Sequence, residues 1–304
     1  MEFFKTNTKI PFMKQRKWAA LFSGVIFLVS MISLIIHGLT LGLDFTGGTQ
    51  VEVSFSKPIE VESIRQNLTT GGFPQAVVQP YTSSAFSIRI PPYKELTQEQ
   101  LKNKLLTILP QSQITSIEYI GPQVSKTLVT NGVLAIILVL LGTMAYIAIR
   151  FEYRFAISAA IALIHDPVLI LGVFSFFHLE FNLIVLTALL TVIGYSVNDT
   201  IVVYDRAREN FRRIRQVSPI EIMDLSINQT LSRTIMTSGL TFVVVLSLFL
   251  FGGEMIHGFA LAMMIGIIIG TYSSIYVAGS LAIALGLNRS HLQMGTKKLQ
   301  TNQL

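Results

Sequence analysis

Residues 183–206 read LIVLTALLTVIGYSVNDTIVVYDR, and this stretch decides the fold. Its first two-thirds is apolar enough to cross a bilayer. It then sets Asn198 and Asp199 in apolar sequence and closes on Asp205 and Arg206. A carboxylate inside a hydrocarbon layer costs roughly 2.5–3.5 kcal/mol on insertion scales. Such a residue is retained for something other than stability. On a helix, Thr187, Thr191, Tyr195 and Asp199 recur every fourth residue and share one face. Lipid cannot satisfy that stripe, so it is expected to meet protein or water. The segment points to a membrane-embedded proton or ion site.

Composition agrees. Of 304 residues, 51% are hydrophobic and only 13% are charged, which places the chain among integral membrane proteins. With no cysteine, disulfide and thiolate-metal chemistry fall away. A formal charge of +6 invites a nucleic-acid reading, but its distribution argues for topology instead.

Residues 1–17 carry Lys5, Lys9, Lys14, Arg16 and Lys17, and an apolar run follows over residues 18–40. The basic-then-apolar order fits a signal peptide. The run is long, however, and its end lacks a small-x-small cleavage site, so an uncleaved first span is preferred. Further spans are read at Leu128–Ile149, Phe155–Phe177, Leu183–Tyr204, about Ser232–Phe251 and about Phe259–Leu285, six in all within 18–40 and 128–287. Arg150, Arg154, the arginines from Arg206 to Arg215, and Arg289, Lys297 and Lys298 of the 288–304 tail fall on one side. The turns His178–Asn182 and Gly252–His257 hold no Lys or Arg. The positive-inside rule then puts both termini in the cytoplasm and residues 41–127 outside.

That hydrophilic segment has its own pattern. Thr49–Phe55, Ala76–Pro80, Ala85–Ile90 and Gln113–Ile120 read as strands. Pro58 is expected to open a helix that stops at Gly71-Gly72, and Thr97-x-x-Gln100 is a capping box for a second helix. The order βαββαβ predicts a ferredoxin-like α+β domain, one antiparallel sheet with two helices on one face.

Other intramembrane groups carry two readings each. Arg233 heads the fifth span with Thr237 and Thr241 on its face. It either snorkels to the interface or faces the Asp199 stripe. His165 and Asp166 lie in mid-span before Pro167, which frees a carbonyl that His165 or water would satisfy; the pair either locks packing or relays protons. Gly258, Ala262, Gly266, Gly270, Ser274, Ala278 and Ala282 form a ridge of small residues for close helix approach. It serves tight packing or a sliding face. No Ser/His/Asp order, metal-ligand spacing or phosphate-cradling glycine loop appears. No enzyme activity, metal or cofactor is therefore expected, only protons as coupling ion.

These residues also carry a family resemblance. Gly42-Leu-Asp44-Phe45-Thr-Gly47-Gly48 resembles the DFxGG motif of the SecD/SecF family. Residues 194–200, continuing to Asp205-Arg206 and Glu209-Asn210, resemble the fourth-span signature of its SecF members. Residues 229–234 and Phe251-Gly252-Gly253 resemble their fifth-span segment and following turn. The resemblance implies the resistance-nodulation-division superfamily and a bacterial cytoplasmic membrane. It also implies a SecD-like six-span partner, the SecYEG translocon and an unfolded exported polypeptide as partners. The expected role is proton-driven assistance of late protein export, with Asp199 and Arg233 as functional residues and His165 and Asp166 second. Asn198, Tyr195, Thr191 and Thr237 are expected to support that site. Asp44, Phe45, Gly47 and Gly48 are read as a turn fixing the junction of span and domain. A proton-coupled small-molecule exporter and a passive translocon scaffold are the alternatives.

Overall fold

The computed structural model describes residues 9–92 and 97–288. Lys5 and the tail residues Arg289, Lys297 and Lys298, on which part of the orientation argument rests, lie outside these. In chain order, helix α1 (Arg16–Ile36) is followed by a single turn α2 (Leu43–Thr46), strand β1 (Gly48–Phe55), helix α3 (Val61–Thr70) and strands β2 (Val77–Pro80) and β3 (Ala85–Ile90). Helix α4 (Gln98–Ile108) and strand β4 (Ser112–Ile120) come next, and then α5 (Pro122–Arg150), α6 (Tyr153–Phe176), α7 (Leu183–Arg213) and α8 (Pro219–Phe251). The last run is α9 (Glu254–Tyr272), a π-helical segment Ser273–Ala278 and α10 (Gly279–Ala284). Six helices are long and apolar enough to cross a membrane. Two compact units result: Leu41–Leu134, and Met1–Thr40 with Ala135–Leu304.

In the smaller unit the strands form one antiparallel sheet ordered β2-β3-β1-β4. Alternation buries Val51, Val53, Phe86, Ile88 and Ile90 against Ile64 and Leu68 of α3 and Leu101 and Leu105 of α4. The capping box at Thr97 and Gln100 forms as its sequence predicts. Pro58, by contrast, does not open α3. Ile59 N donates to Ser83 O at 3.2 Å, which keeps that backbone extended until Glu60, the N-cap. Gly47 and Gly48 adopt φ of 67° and 115°, and a Cβ on Gly48 would collide with Ile90 O. The GG pair is thus a turn that only glycine makes without strain.

The larger unit is built from the spans. α1 lies close against α6: a Cβ on Gly172 would overlap Ser30, and Ser33 Oγ is 2.9 Å from Ser175 Oγ. α7 and α8 outrun the spans read from hydropathy. At 1.5 Å per residue the 31-residue α7 is about 46 Å long, against a hydrocarbon core of about 30 Å. Its charged end is held by Glu209, which accepts from Arg206 at 2.6 Å and Arg213 at 3.2 Å. It is zipped to α8 by Asn210, which donates to Ser226 at 2.9 Å and Gln229 at 2.8 Å. α8 opens on a second capping box, Ser218 with Glu221, and Pro219 at its start. The sixth span, expected as one α-helix, is interrupted by the π-helical turn, where Tyr204 Oη donates to Ala278 O at 2.9 Å.

Candidate functional site

Asp199 is 3% exposed on α7. Ser238 of α8 donates to its Oδ2 at 3.4 Å. Ser238 Oγ in turn accepts from Thr271 Oγ1 of α9 at 2.9 Å and from Tyr195 Oη at 3.4 Å. One serine therefore joins the carboxylate of α7 to α8 and α9. Among the described residues no cation comes within 4.0 Å of Asp199, although Arg233 acts on it electrostatically at longer range. Arg233 is exposed on α8, five residues and about 7.5 Å of helix rise from Ser238.

The expected polar stripe divides. Tyr195 and Asp199 reach Ser238, but Thr187 and Thr191 are exposed and return their hydroxyls to Leu183 O and Thr187 O. Each four-residue step drifts about 40° on a helix of 3.6 residues per turn, so a stripe that faces protein at Asp199 has rotated away by Thr187. Asn198 is exposed beside the site. Thr237 and Thr241 likewise bond their own backbone, at Arg233 O and Thr237 O. The fifth-span residue that meets Asp199 is Ser238. Ser238 directly follows Thr237 in sequence, and the helix wheel puts the two about 100° apart.

A second carboxylate, Asp166, is 1% exposed on α6. Its Oδ1 lies 2.9 Å from His165 Nδ1, and its Oδ2 accepts from Ser196 of α7 and, at 2.8 Å, from Ser273. The other ring nitrogen of His165 is 2.8 Å from Ser23 Oγ of α1, and Phe27 stacks on the ring. Both ring nitrogens are thereby engaged, so His165 does not serve the carbonyl freed by Pro167. α6 continues through that proline without a break. Ser23 and Ser273 belong to no sequence pattern, and Ser196 only to the stretch 194–200.

The small-residue ridge packs on α7. A Cβ on Gly266 would overlap Val192, and one on Gly270 or Gly258 would stand 3.0 Å from Ser196 or Val185. This ridge sets α9 against the helix that carries Asp199.

Comparison with known proteins places this geometry. A profile described as "Protein export membrane protein SecD/SecF, C-terminal" matches residues 100–288, and one described as "SecD/SecF GG Motif" matches residues 32–59. The chain belongs to the SecD/SecF family. Relatives in the family named "Protein translocase subunit SecF" include one from Vibrio alginolyticus, 46% identical over 297 residues, covering 96% of this chain and 94% of that protein. Another, from Escherichia coli O157:H7, is 43% identical over 288 residues, covering 92% and 89%. Among solved structures, SecDF from Thermus thermophilus, described as a translocon-associated membrane protein, superposes with a TM-score of 0.86 at 34% identity. That match covers 93% of this chain and 39% of the SecDF chain. This SecD/SecF-family chain is a multi-pass membrane protein whose relatives are named protein translocase subunits.

Proposed function

We propose that this chain is a SecF-like subunit that works with a SecD-like partner, using the proton-motive force to promote late steps of polypeptide translocation through SecYEG. The observation that carries the reading is Asp199: a carboxylate among three spans, hydrogen-bonded by a hydroxyl, with its nearest arginine on the neighbouring helix and not in contact. A carboxylate so held has two states of different packing preference. Charged, it attracts Arg233; protonated, it releases it, and the arginine cannot lose its own proton in compensation. A proton crossing the membrane delivers about 2.3 kcal/mol per 100 mV, which is enough to bias two helix packings that differ by that much.

In this reading both termini are cytoplasmic and residues 41–127 form an extracytoplasmic ferredoxin-like domain that grips and releases the emerging polypeptide. The order of its strands supports that fold. A SecD-like chain supplies the complementary spans; the 39% share of SecDF that this chain matches supports it. Asp166 is assigned to packing, because two hydroxyls and His165 already hold both of its oxygens within the bundle. Co-purification from mild detergent tests the assembly: a second six-span protein and a translocon are expected to accompany the chain. Purification alone, with export unaffected by its deletion, would refute the assignment.

A further inference from the structure

Four arginines converge on one hollow at the end of α5. Arg150, Arg208, Arg212 and Arg213 line it with Asp205 and Glu209, around about 340 Å³. Four positive charges against two negative leave a formal +2.

Two of these guanidiniums are held rigidly. Arg150 Nη2 donates to both oxygens of Asp205 at 3.0 Å, and Arg208 Nη2 sits 3.3 Å from the same Oδ1. Arg208 Nη1 also donates to Arg150 O at 3.4 Å. Both lie over the Phe151 ring, at 5.3 and 5.7 Å. One carboxylate thus orients two guanidiniums, and Arg212 adds further repulsion to Arg208. Glu209 is occupied by Arg206 and Arg213, so it does not neutralise Arg212. Side chains already fixed lose little rotamer freedom on binding an anion, and the planar guanidinium fork matches phosphate oxygens. An arginine kept only to orient the chain in a membrane needs none of this fixation.

What lies beside the hollow selects the anion. Leu138, Leu141, Tyr146 and Ile149 make one exposed apolar side of α5 ending next to Arg150, with Ile149 88% exposed. An anion site at the head of an apolar strip fits a phosphodiester carrying acyl chains, and basic pockets between spans are known to hold such headgroups. An acidic protein surface would need the charge and not the strip. We propose that the Arg150–Arg208–Arg212 hollow holds the phosphodiester headgroup of an anionic membrane phospholipid, its acyl chains along α5. This rests on α5 and α7 spanning the bilayer and not on proton coupling at Asp199.

The test is native mass spectrometry of the full chain in mild detergent, titrated with phosphatidylglycerol or phosphatidylcholine of identical acyl chains. Wild type is expected to retain phosphatidylglycerol preferentially. R150Q/R212Q is expected to need about thirtyfold more of it, from the loss of two charges each worth about 1 kcal/mol. K14Q/K17Q, which removes two charges elsewhere, should leave retention unchanged. R150K/R212K keeps charge without the fork and should fall between; it carries the test if the glutamine pair does not fold. Four results would overturn the proposal: equal retention of the two lipids, equal loss in K14Q/K17Q, displacement by inorganic phosphate at the lipid's own concentration, or displacement by polyglutamate as effectively as by phosphatidylglycerol.

Discussion

Ser238 gives its one hydroxyl hydrogen to Asp199, at 3.4 Å across the contact of α7 with α8, while Thr271 and Tyr195 donate to its oxygen. The carboxylate of α7 is therefore tied to α8 and α9 through a single atom. A change of charge at Asp199 acts on α8 and α9 through this junction, and on Arg233 through space.

Replacing Ser238 by Ala removes that junction. A hydrogen bond to a charged group contributes about 1.5–3 kcal/mol, and Thr271 and Tyr195 lose an acceptor as well. The variant should unfold at lower temperature in detergent and show weakened, not abolished, proton-dependent stimulation of export, since Asp199 remains. Unchanged melting and an unchanged uncoupler response would remove Ser238 from the site.

The glycine ridge gives a sharper comparison within one chemistry. Gly266→Ala would push a methyl into Val192, whereas a Cβ at Gly194 of α7 meets nothing within 4 Å. Overpacking costs typically about 1–3 kcal/mol, while Gly→Ala on an open helix face gains up to about 1 kcal/mol. Thermal unfolding should therefore move in opposite directions for the two. Equal tolerance would show that α9 does not approach α7 as closely as described.

Asp166 separates packing from proton transfer. Asp166→Ala would strand His165, Ser196 and Ser273 in the bundle, and removing one partner of such a buried network costs about 3–5 kcal/mol. Asp166→Asn keeps the size and an acceptor oxygen. Loss of yield in the alanine variant, with near-normal yield and uncoupler-sensitive export in the asparagine variant, is the expected pair of results. An asparagine variant that folds but exports without proton dependence would move the coupling path to Asp166.

Much of this arrangement was legible because it is local. Hydropathy alone marks the six spans, and alternation marks β1 and β3 almost to the residue. The charged extension of α7 was not legible from hydropathy, because polar residues such as Asn210 and Glu209 are stabilised by α8 and by each other, contacts that no hydropathy window contains. The start of α8 lies thirteen residues before Ser232, at a capping box of Ser218 and Glu221 that hydropathy does not register. At the site, Asp199 stood out because charge in an apolar run is costly. Ser238, Ser196 and Ser273 did not, because a serine can always satisfy itself on its own helix, as Thr187 and Thr237 do. Which hydroxyl faces a carboxylate is a matter of tertiary packing.

Orientation is testable without any purification. A reporter inserted between Ser83 and Ser84 should lie outside the cytoplasm, and one after Arg215 should lie inside, because the arginines around α5, α6 and α7 fall at one end of the spans. A cytoplasmic signal at Ser83–Ser84 would invert the arrangement and, with it, the direction in which protons are proposed to move.

The decisive variant is Asp199→Asn. It preserves size and an acceptor for Ser238, but it cannot gain or lose a proton. Because a neutral amide is cheaper in the membrane than a charge, expression and partner binding should stay near normal. Proton-dependent stimulation of export should disappear. Arg233→Met should fail too, for a different reason: Asp199 still titrates, but its charged state no longer has a cation to draw α8 toward α7, so both states pack alike. Asp199→Glu retains titration and displaces it by a methylene, so partial activity is expected. Export is measured in cells or inverted vesicles with and without an uncoupler, wild type against each variant. A scaffold would export equally well with Asn at this position, keeping its uncoupler sensitivity. That result would take coupling away from Asp199 and leave the partner chain or the Asp166 network to supply it.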